Sequence, residues 1–328
     1  MNRRQALKSL SAIGVGMAGL PSAFAQPKPY PAAPVRVMVG TAPGGITDYL
    51  ARLFAQHISE GMKQSFVVEN RGGASGTLAA AAVARAAPDG YTLLATTPTV
   101  TIVAPHLYSN LSFEPDKDLA PVCLLGAGPM VLVVNAELPI HSAADLIAWA
   151  KSKPGEIAYA SGGMGTAAHL TGELFATSAG LKLVHVPYKG DGQGAIDVLG
   201  GQVPMMFSVM SVLGPHIKSG KLRALGVASQ TRMPSYPDIP TLAEAGVSDV
   251  DSLAWVGIYA PAGTPQEIIT QLNQHWQTAR QLPRVAESIS SVAMDQITFS
   301  TPQGLAEFQQ SEKARWDRVI KASGVQPS

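Results

Sequence analysis

Cysteine is almost absent from this 328-residue chain: Cys123, set in the apolar run VCLLGAG, stands alone. That excludes an intramolecular disulfide and a thiolate metal cluster, and an apolar-flanked free cysteine belongs in a core. Charge is scarce too. Charged residues make up 14% of the chain, the formal net charge is +1, and Lys and Arg form no dense block, so no nucleic-acid partner is expected. The seven histidines (His57, His106, His141, His169, His185, His216 and His275) include no pair at metal-ligand spacing and no H-E-x-x-H helix. G-x-S-x-G is missing, since Ser75 in GGASGT falls one residue short, and no G-x-x-x-x-G-K-S/T phosphate loop occurs. No catalytic residue, metal or cofactor is therefore expected. After the N-terminus, no run approaches the ~20 apolar residues of a membrane span. At 46% hydrophobic, the chain has material for real cores, and its length fits two domains.

The first 25 residues read as an export signal. Arg3, Arg4 and Lys8 give a positive start, Leu10 to Leu20 is a short apolar core, and Ala23-Phe24-Ala25 is an A-x-A cleavage site. Cleavage is expected before Gln26, with a periplasmic mature protein. Arg3-Arg4 also fits twin-arginine export, but Ala6 stands where that motif is hydrophobic, so the general secretory route stays open.

What the chain does have is a repeat. Val35 to Thr97 and Ile157 to Ser208 each read as strand, glycine turn, helix, strand, glycine turn, helix, strand. In the first, VRVMVG leads through Pro43-Gly44-Gly45 to a helix over Thr47–Gly61 with Leu50, Leu53, Phe54 and Ile58 on one face. Ser65–Glu69, a turn at Arg71–Gly76, an alanine-rich helix from Thr77 and the strand Tyr91–Thr96 follow. In the second, EIAYAS leads through Gly162–Gly165 to a helix, then KLVHVP, the turn Tyr188–Gly194, a helix and a strand. Such alternation implies a mainly parallel sheet covered by helices.

The connections suggest how the repeats join. Val122–Val134 is too long for one strand and is interrupted by Gly126, Gly128 and Pro129; it is a candidate crossing, and Leu253–Ala260 a candidate return. Ser142 is a candidate N-cap with Asp145 three residues on. Helices over Gln266–Arg280, Pro283–Ser291 and Thr301–Ser323 should pack back on the first unit. The expected organisation is a lobe of residues 26–124 plus 252–328, a second lobe of 125–251, and two hinge strands between them.

The glycine turns leave backbone N–H groups at helix starts, which attract anions. Gly163-Met164-Gly165-Thr166-Ala167-Ala168 fits a dinucleotide fingerprint, but the next strand ends Val184-His185-Val186-Pro187 without the acid that would hold a ribose. A carboxylate suits the turns better, with the Thr47 or Thr166 hydroxyls beside them.

In order and spacing, VRVMVGTAPGGITDYLARLFA, FVVENRGGASG, AAPDGYTLL, GTAAHLTGELF, VHVPYKG, GGQVPMMF, HIKSGKLRALGV and PAGTP resemble the Bug family, the extracytoplasmic solute receptors of tripartite tricarboxylate transporters. The resemblance runs from about residue 28 to the C-terminus. It implies an α/β, two-lobed type II periplasmic binding-protein fold, a monomer, and a small carboxylate held between lobes by backbone amides, hydroxyls and waters. It also implies two membrane subunits, or a sensor protein, as partners. Carried onto this chain, the site would comprise Ala42, Gly44 and Gly45 on one side and Ser161, Gly163, Gly165, Thr166 and His169 on the other. Thr97, Tyr188 and Lys189 would shape the distal end. Asp48 would brace its turn. Ser208 stands where the family usually has Asp, and Met205, Met206 and Met210 flank it, either as core or as walls for an aromatic ligand. A di-, tri- or aromatic carboxylate would fit. Gly165→Trp is expected to block binding while leaving the fold intact. Two other readings are a periplasmic enzyme acting on a carboxylic acid, which lacks a legible nucleophile–base pair, and a partner-binding module for a sensor.

Overall fold

The computed structural model describes residues 29–296 and 299–323. The expected export signal, residues 1–25, lies outside the described residues. The chain builds β1 (Val35–Val39), α1 (Ile46–Met62), β2 (Phe66–Asn70), α2 (Thr77–Ala84) and β3 (Thr92–Thr96). A π turn over Thr99–Val103 runs into the short helix α3 (Ala104–Leu107), and α4 (Pro115–Asp118) leads to the long strand β4 (Leu119–Pro129). Then come β5 (Val131–Asn135), α5 (Ala143–Ser152), β6 (Ile157–Ser161), α6 (Ala167–Ala179), β7 (Leu183–Pro187), α7 (Asp191–Leu199) and β8 (Met205–Ser208). The remainder is α8 (Met210–Lys218), β9 (Leu222–Val227), β10 (Leu253–Pro261), α9 (Gln266–Arg280), α10 (Pro283–Ser291) and α11 (Pro302–Ser323).

Two five-stranded sheets result, ordered β2-β1-β3-β10-β4 and β7-β6-β8-β5-β9. In the first, β1 pairs in parallel with β2 and β3, while β10 runs against β3 and β4. In the second, β6 pairs in parallel with β7 and β8, while β5 runs against β8 and β9. The sequence repeat is thus a structural repeat: four strands of each sheet point one way and one returns.

Helices cover both faces, which is why the inner strands read as continuous apolar runs. On one face of the first sheet, Leu50, Phe54 and Ile58 of α1 meet Leu272 and Trp276 of α9 over Val37, Cys123 and Ile258. Phe54 and Trp276 pack edge to face at 5.6 Å, and the Trp276 indole N–H donates to the Leu124 carbonyl at 2.9 Å. Cys123 is fully buried, and that burial pushes its thiol pKa up. The opposite face holds Ala79, Ala80 and Val83 of α2 with Trp255, Tyr259, Leu305 and Trp316. Each large apolar side chain so buried contributes roughly 1.5–3 kcal/mol. Around the second sheet, Met205 and Met206 are fully buried and Met210 nearly so; all three belong to its cores. They are packing and not walls of a cleft.

The crossing between sheets is sharp. β4 stays paired with β10 through Pro129, and Met130 alone separates it from β5. On the return, the Met130 N–H donates to the Ser252 carbonyl at 3.0 Å. Beside it, the Thr171 and Ser252 hydroxyls share a 2.6 Å hydrogen bond. Leu170 of α6 is buried among Val103, Leu107 and Trp316 of the first unit, so α6 touches both lobes. Ser142 caps α5 by accepting from the Asp145 N–H.

Candidate ligand-binding cleft

Parallel neighbours bring their C-terminal ends together, and both sheets present those ends with glycine turns. In the first lobe, the turn after β1 is pinned to the turn after β2. A methyl group at Gly40 would come within 2.7 Å of the Gly76 Cα, so only glycine permits the approach. The β2 turn is left-handed at four successive residues, Gly73, Ala74, Ser75 and Gly76, the two non-glycines with φ of 44° and 53°. Non-glycine residues held there are strained. The Tyr108 hydroxyl donates to the Ser75 hydroxyl at 3.3 Å.

The Ala42–Gly45 turn is exposed. It runs into α1, whose N-cap, Gly45, offers no side-chain cap. The first-turn amides of Ile46 and Thr47 therefore lack a side-chain acceptor, which is the chemistry of an anion site. The Gly44 amide is engaged: it donates to Asp48 Oδ2 at 3.0 Å. Asp48, 4% exposed, also accepts from Arg52 Nε at 3.0 Å and from Asn70 Nδ2 at 2.9 Å. Burial alone would raise the Asp48 carboxyl; the bonds from Arg52, Gly44 and Asn70 outweigh it and hold the pKa below the ordinary value. Asp48 braces the turn, and Arg52 offsets its charge, so the acid does not cancel the pull of the helix start.

The corresponding turn of the second lobe is built differently. Thr166 caps α6, accepting from the His169 N–H at 3.3 Å. Its own hydroxyl donates to the Gly163 carbonyl at 2.8 Å. The Gly165 amide donates to His169 Nδ1 at 3.1 Å, which places the proton of that ring on Nε2, 4.0 Å from Glu173. His169 is 3% exposed and stacks on His185 at 4.0 Å, with Tyr159 on the other ring at 5.0 Å. His185 Nε2 meets the Ser161 hydroxyl at 2.6 Å, and Ser161 in turn accepts from the Gly163 amide. Burial, then His185, lowers His169 to about 3, and burial lowers His185 to about 4, so both rings are neutral. Ser161, Gly163, Gly165, Thr166 and His169 do come together, as a self-satisfied cluster beneath the turn. Gly165 is buried, its φ is +73°, and a Cβ there would lie 2.4 Å from Leu107 and 3.0 Å from Val103 of the first lobe. A side chain at 165 would press on the tips of Leu107 and Val103 and sit at a strained positive φ, so Gly165→Trp would strain the lobe contact as well as fill the turn.

The distal residues are mixed. Tyr188 is partly exposed, and its hydroxyl donates to Asp197 at 2.7 Å; burial, then that bond, raises the phenol to about 12. Lys189 is exposed and Thr97 partly so. Ser208 is fully buried and its hydroxyl donates to Asp191 Oδ2 at 2.6 Å. Two cavities lie elsewhere: one of about 410 Å³ beside Leu124, Leu253, Phe299 and Phe308, and one of about 360 Å³ beside Arg280 and Glu287. Sequence reasoning missed Asp191, His185 and the α3 contact. Only Asp191, inside a glycine turn, left a local signal.

Residues 50–325 match the model of the tripartite tricarboxylate transporter family receptor, TctC. The chain belongs to this family. Protein BugT of Bordetella pertussis is 37% identical over 297 residues, covering 90% of this receptor and 91% of that protein. An R. palustris protein solved with adipate superposes with a TM-score of 0.86 at 34% identity, covering 91% of this chain and 100% of that one. MatC from Rhodopseudomonas palustris, solved with bound malate, gives 0.81 at 32% identity, over 89% and 100% of the two chains. The two solved relatives superpose over about nine-tenths of this chain, so they share its two-sheet fold.

Proposed function

We propose that this receptor is exported to the periplasm and captures a small carboxylate between its lobes, anchored on the start of α1. The observation that carries this reading is the uncapped start of α1, entered from the exposed Ala42–Gly45 turn and held in shape from behind by Asp48. The adipate and malate complexes of its relatives support the ligand class. Each charge-assisted bond from such amides contributes roughly 1.5–3 kcal/mol, so a few of them reach micromolar affinity, about −8 kcal/mol. The lobes close by bending at the crossings near Met130 and Ser252, and the closed form hands its ligand to a tripartite tricarboxylate transporter or reports it to a sensor.

The test is a thermal-shift screen of the chain from Gln26 against mono-, di-, tri- and aromatic carboxylates and their neutral amides. Ligand at about 100 times its Kd adds about 2.7 kcal/mol of stability. A shift with an acid that vanishes with its amide supports the reading, and silence across all acids refutes it. A solution scattering radius unchanged by a binding acid would refute closure.

A further inference from the structure

Asp191 opens α7, directly after the Tyr188–Gly190 turn. Its carboxyl lies across the C-terminal ends of two strands. Oδ2 accepts from Ser208 at the end of β8. Oδ1 lies so close to Gly162, just past β6, that a methyl group there would come within 2.3 Å of it, and the Gly162 amide hydrogen-bonds the carboxyl. This is the edge of the second sheet that faces the first lobe, since Gly165 three residues on lies against Leu107 and Val103. The residue is partly exposed, and methyl groups added at Gly190 or Gly192 beside it would meet nothing within 4 Å, so open space adjoins it.

Among the described residues no Lys, Arg or His forms an ion pair with Asp191. Burial pushes the Asp191 carboxyl above its ordinary value; the bonds from Ser208 and Gly162 and the start of α7 oppose that, but no cation offsets its charge. It repels a second carboxylate and favours a cation or a donor, and its oxygens retain lone pairs to accept one. Ser208 suits this arrangement. An acid at that position would sit at hydrogen-bond distance from Asp191, and the two could not both ionise.

We propose that Asp191 is a specificity-determining residue of the cleft: it selects acids whose far end carries a hydrogen-bond donor, an ammonium or a hydroxyl, over acids that end in a second carboxylate. The inference rests on the carboxylate-receptor reading and narrows it. A bound acid places its carboxylate at α1 and turns its other end toward Asp191.

The experiment is titration calorimetry of the chain from Gln26 with matched linear acids of four to six carbons: a dicarboxylate, its ω-hydroxy monocarboxylate and its ω-amino monocarboxylate. The expected result is that the hydroxy or amino acid binds at least about tenfold tighter than the dicarboxylate of its length. Asp191→Asn should bring the ratio to within about threefold. Asp191→Ser, which keeps a small polar group, serves the same comparison should the amide variant not fold, and the wild-type ratio needs no variant. The inference is overturned if wild type prefers the dicarboxylate, or if the ratio is unchanged in the folded variants. It is also overturned if dicarboxylate binding takes up a proton, seen as a buffer-dependent heat, because Asp191 would then be a donor. If no acid of any kind binds wild type, the receptor reading beneath it falls instead.

Discussion

Replacing Asp48 by alanine tests whether the start of α1 is a prepared site or an ordinary strand-to-helix turn. The carboxylate takes bonds from the Gly44 amide, Arg52 and Asn70 at 2.9–3.0 Å. Bonds to a charged acceptor contribute roughly 1.5–3 kcal/mol each when well buried. Arg52 is half exposed, with 53% of its side chain accessible, so its share falls to that of a surface pair, about 0.5 kcal/mol. Gly44 is exposed and its amide can turn to water, which trims the rest. A net loss of about 2–3 kcal/mol follows. For a domain of this size that lowers Tm by about 5–10 °C. Ligand affinity should fall about 10- to 100-fold, because the Ile46 and Thr47 amides survive on a turn no longer held in place. The effect has a pH signature. The folded pKa of Asp48 is depressed, so its contribution is fully present above the unfolded value near 3.9 and is lost as pH falls through the lower folded value. The stability gap between wild type and Asp48→Ala should be constant from about pH 5 to 8 and close below about pH 4. Chemical denaturation across pH, with calorimetry on a binding acid, measures both. Full affinity in a destabilised variant would show that the brace supports the fold and that the ligand sits elsewhere.

Other perturbations probe the second lobe and the crossing. His169 and His185 are neutral when folded, with values of about 3 and about 4. The unfolded chain binds their protons as pH falls below about 6.5, so stability is lost in that direction at about 1.4 kcal/mol per unit per ring. Urea midpoints should show a loss of about 2–4 kcal/mol between pH 7 and 5, and His169→Gln should flatten the slope. A pH-independent wild type would refute the neutral stack. Gly165→Ala should destabilise and weaken binding together, since its Cβ would meet Leu107 at 2.4 Å; an unchanged Tm would remove the lobe contact from the argument. Gly128→Ala would place a Cβ 2.0 Å from the Ala293 carbonyl and should cost about 1–3 kcal/mol, read as a drop in Tm.

Local order was legible because its causes are local. The glycine turns, the Ser142 cap with Asp145, the alanine-rich α2 and the helix starts at Gln266 and Pro283 are written within a few residues of one another. So was the strand-helix alternation, because buried parallel strands are plain apolar runs. What the sequence hid was pairing at a distance. His169 lies on α6 and His185 on β7, and nothing in their spacing announces a 4.0 Å stack. Asp191 and Ser208 meet because β7 and β8 flank β6. The π turn and α3 after β3 carry no periodic signal, being short, yet they supply the surface on which Gly165 rests.

The two repeats share a grammar but not a chemistry, and on the carboxylate reading proposed above that difference makes the site directional. At α1 the bracing acid lies behind the turn and the helix start is left open. At α6 a hydroxyl and an imidazole occupy two donors, the His169 and Gly165 amides, and the cap leaves those of Ala167 and Ala168 without a side-chain acceptor. At α7 the residue that opens the helix is itself an acid. On the proposed reading, an anion entering between the lobes meets one helix start with no side-chain cap, one partly capped and one that opens with an acid. A symmetric dicarboxylate gains nothing from that arrangement at its second end, whereas an acid with two unlike ends has only one orientation in which both are matched.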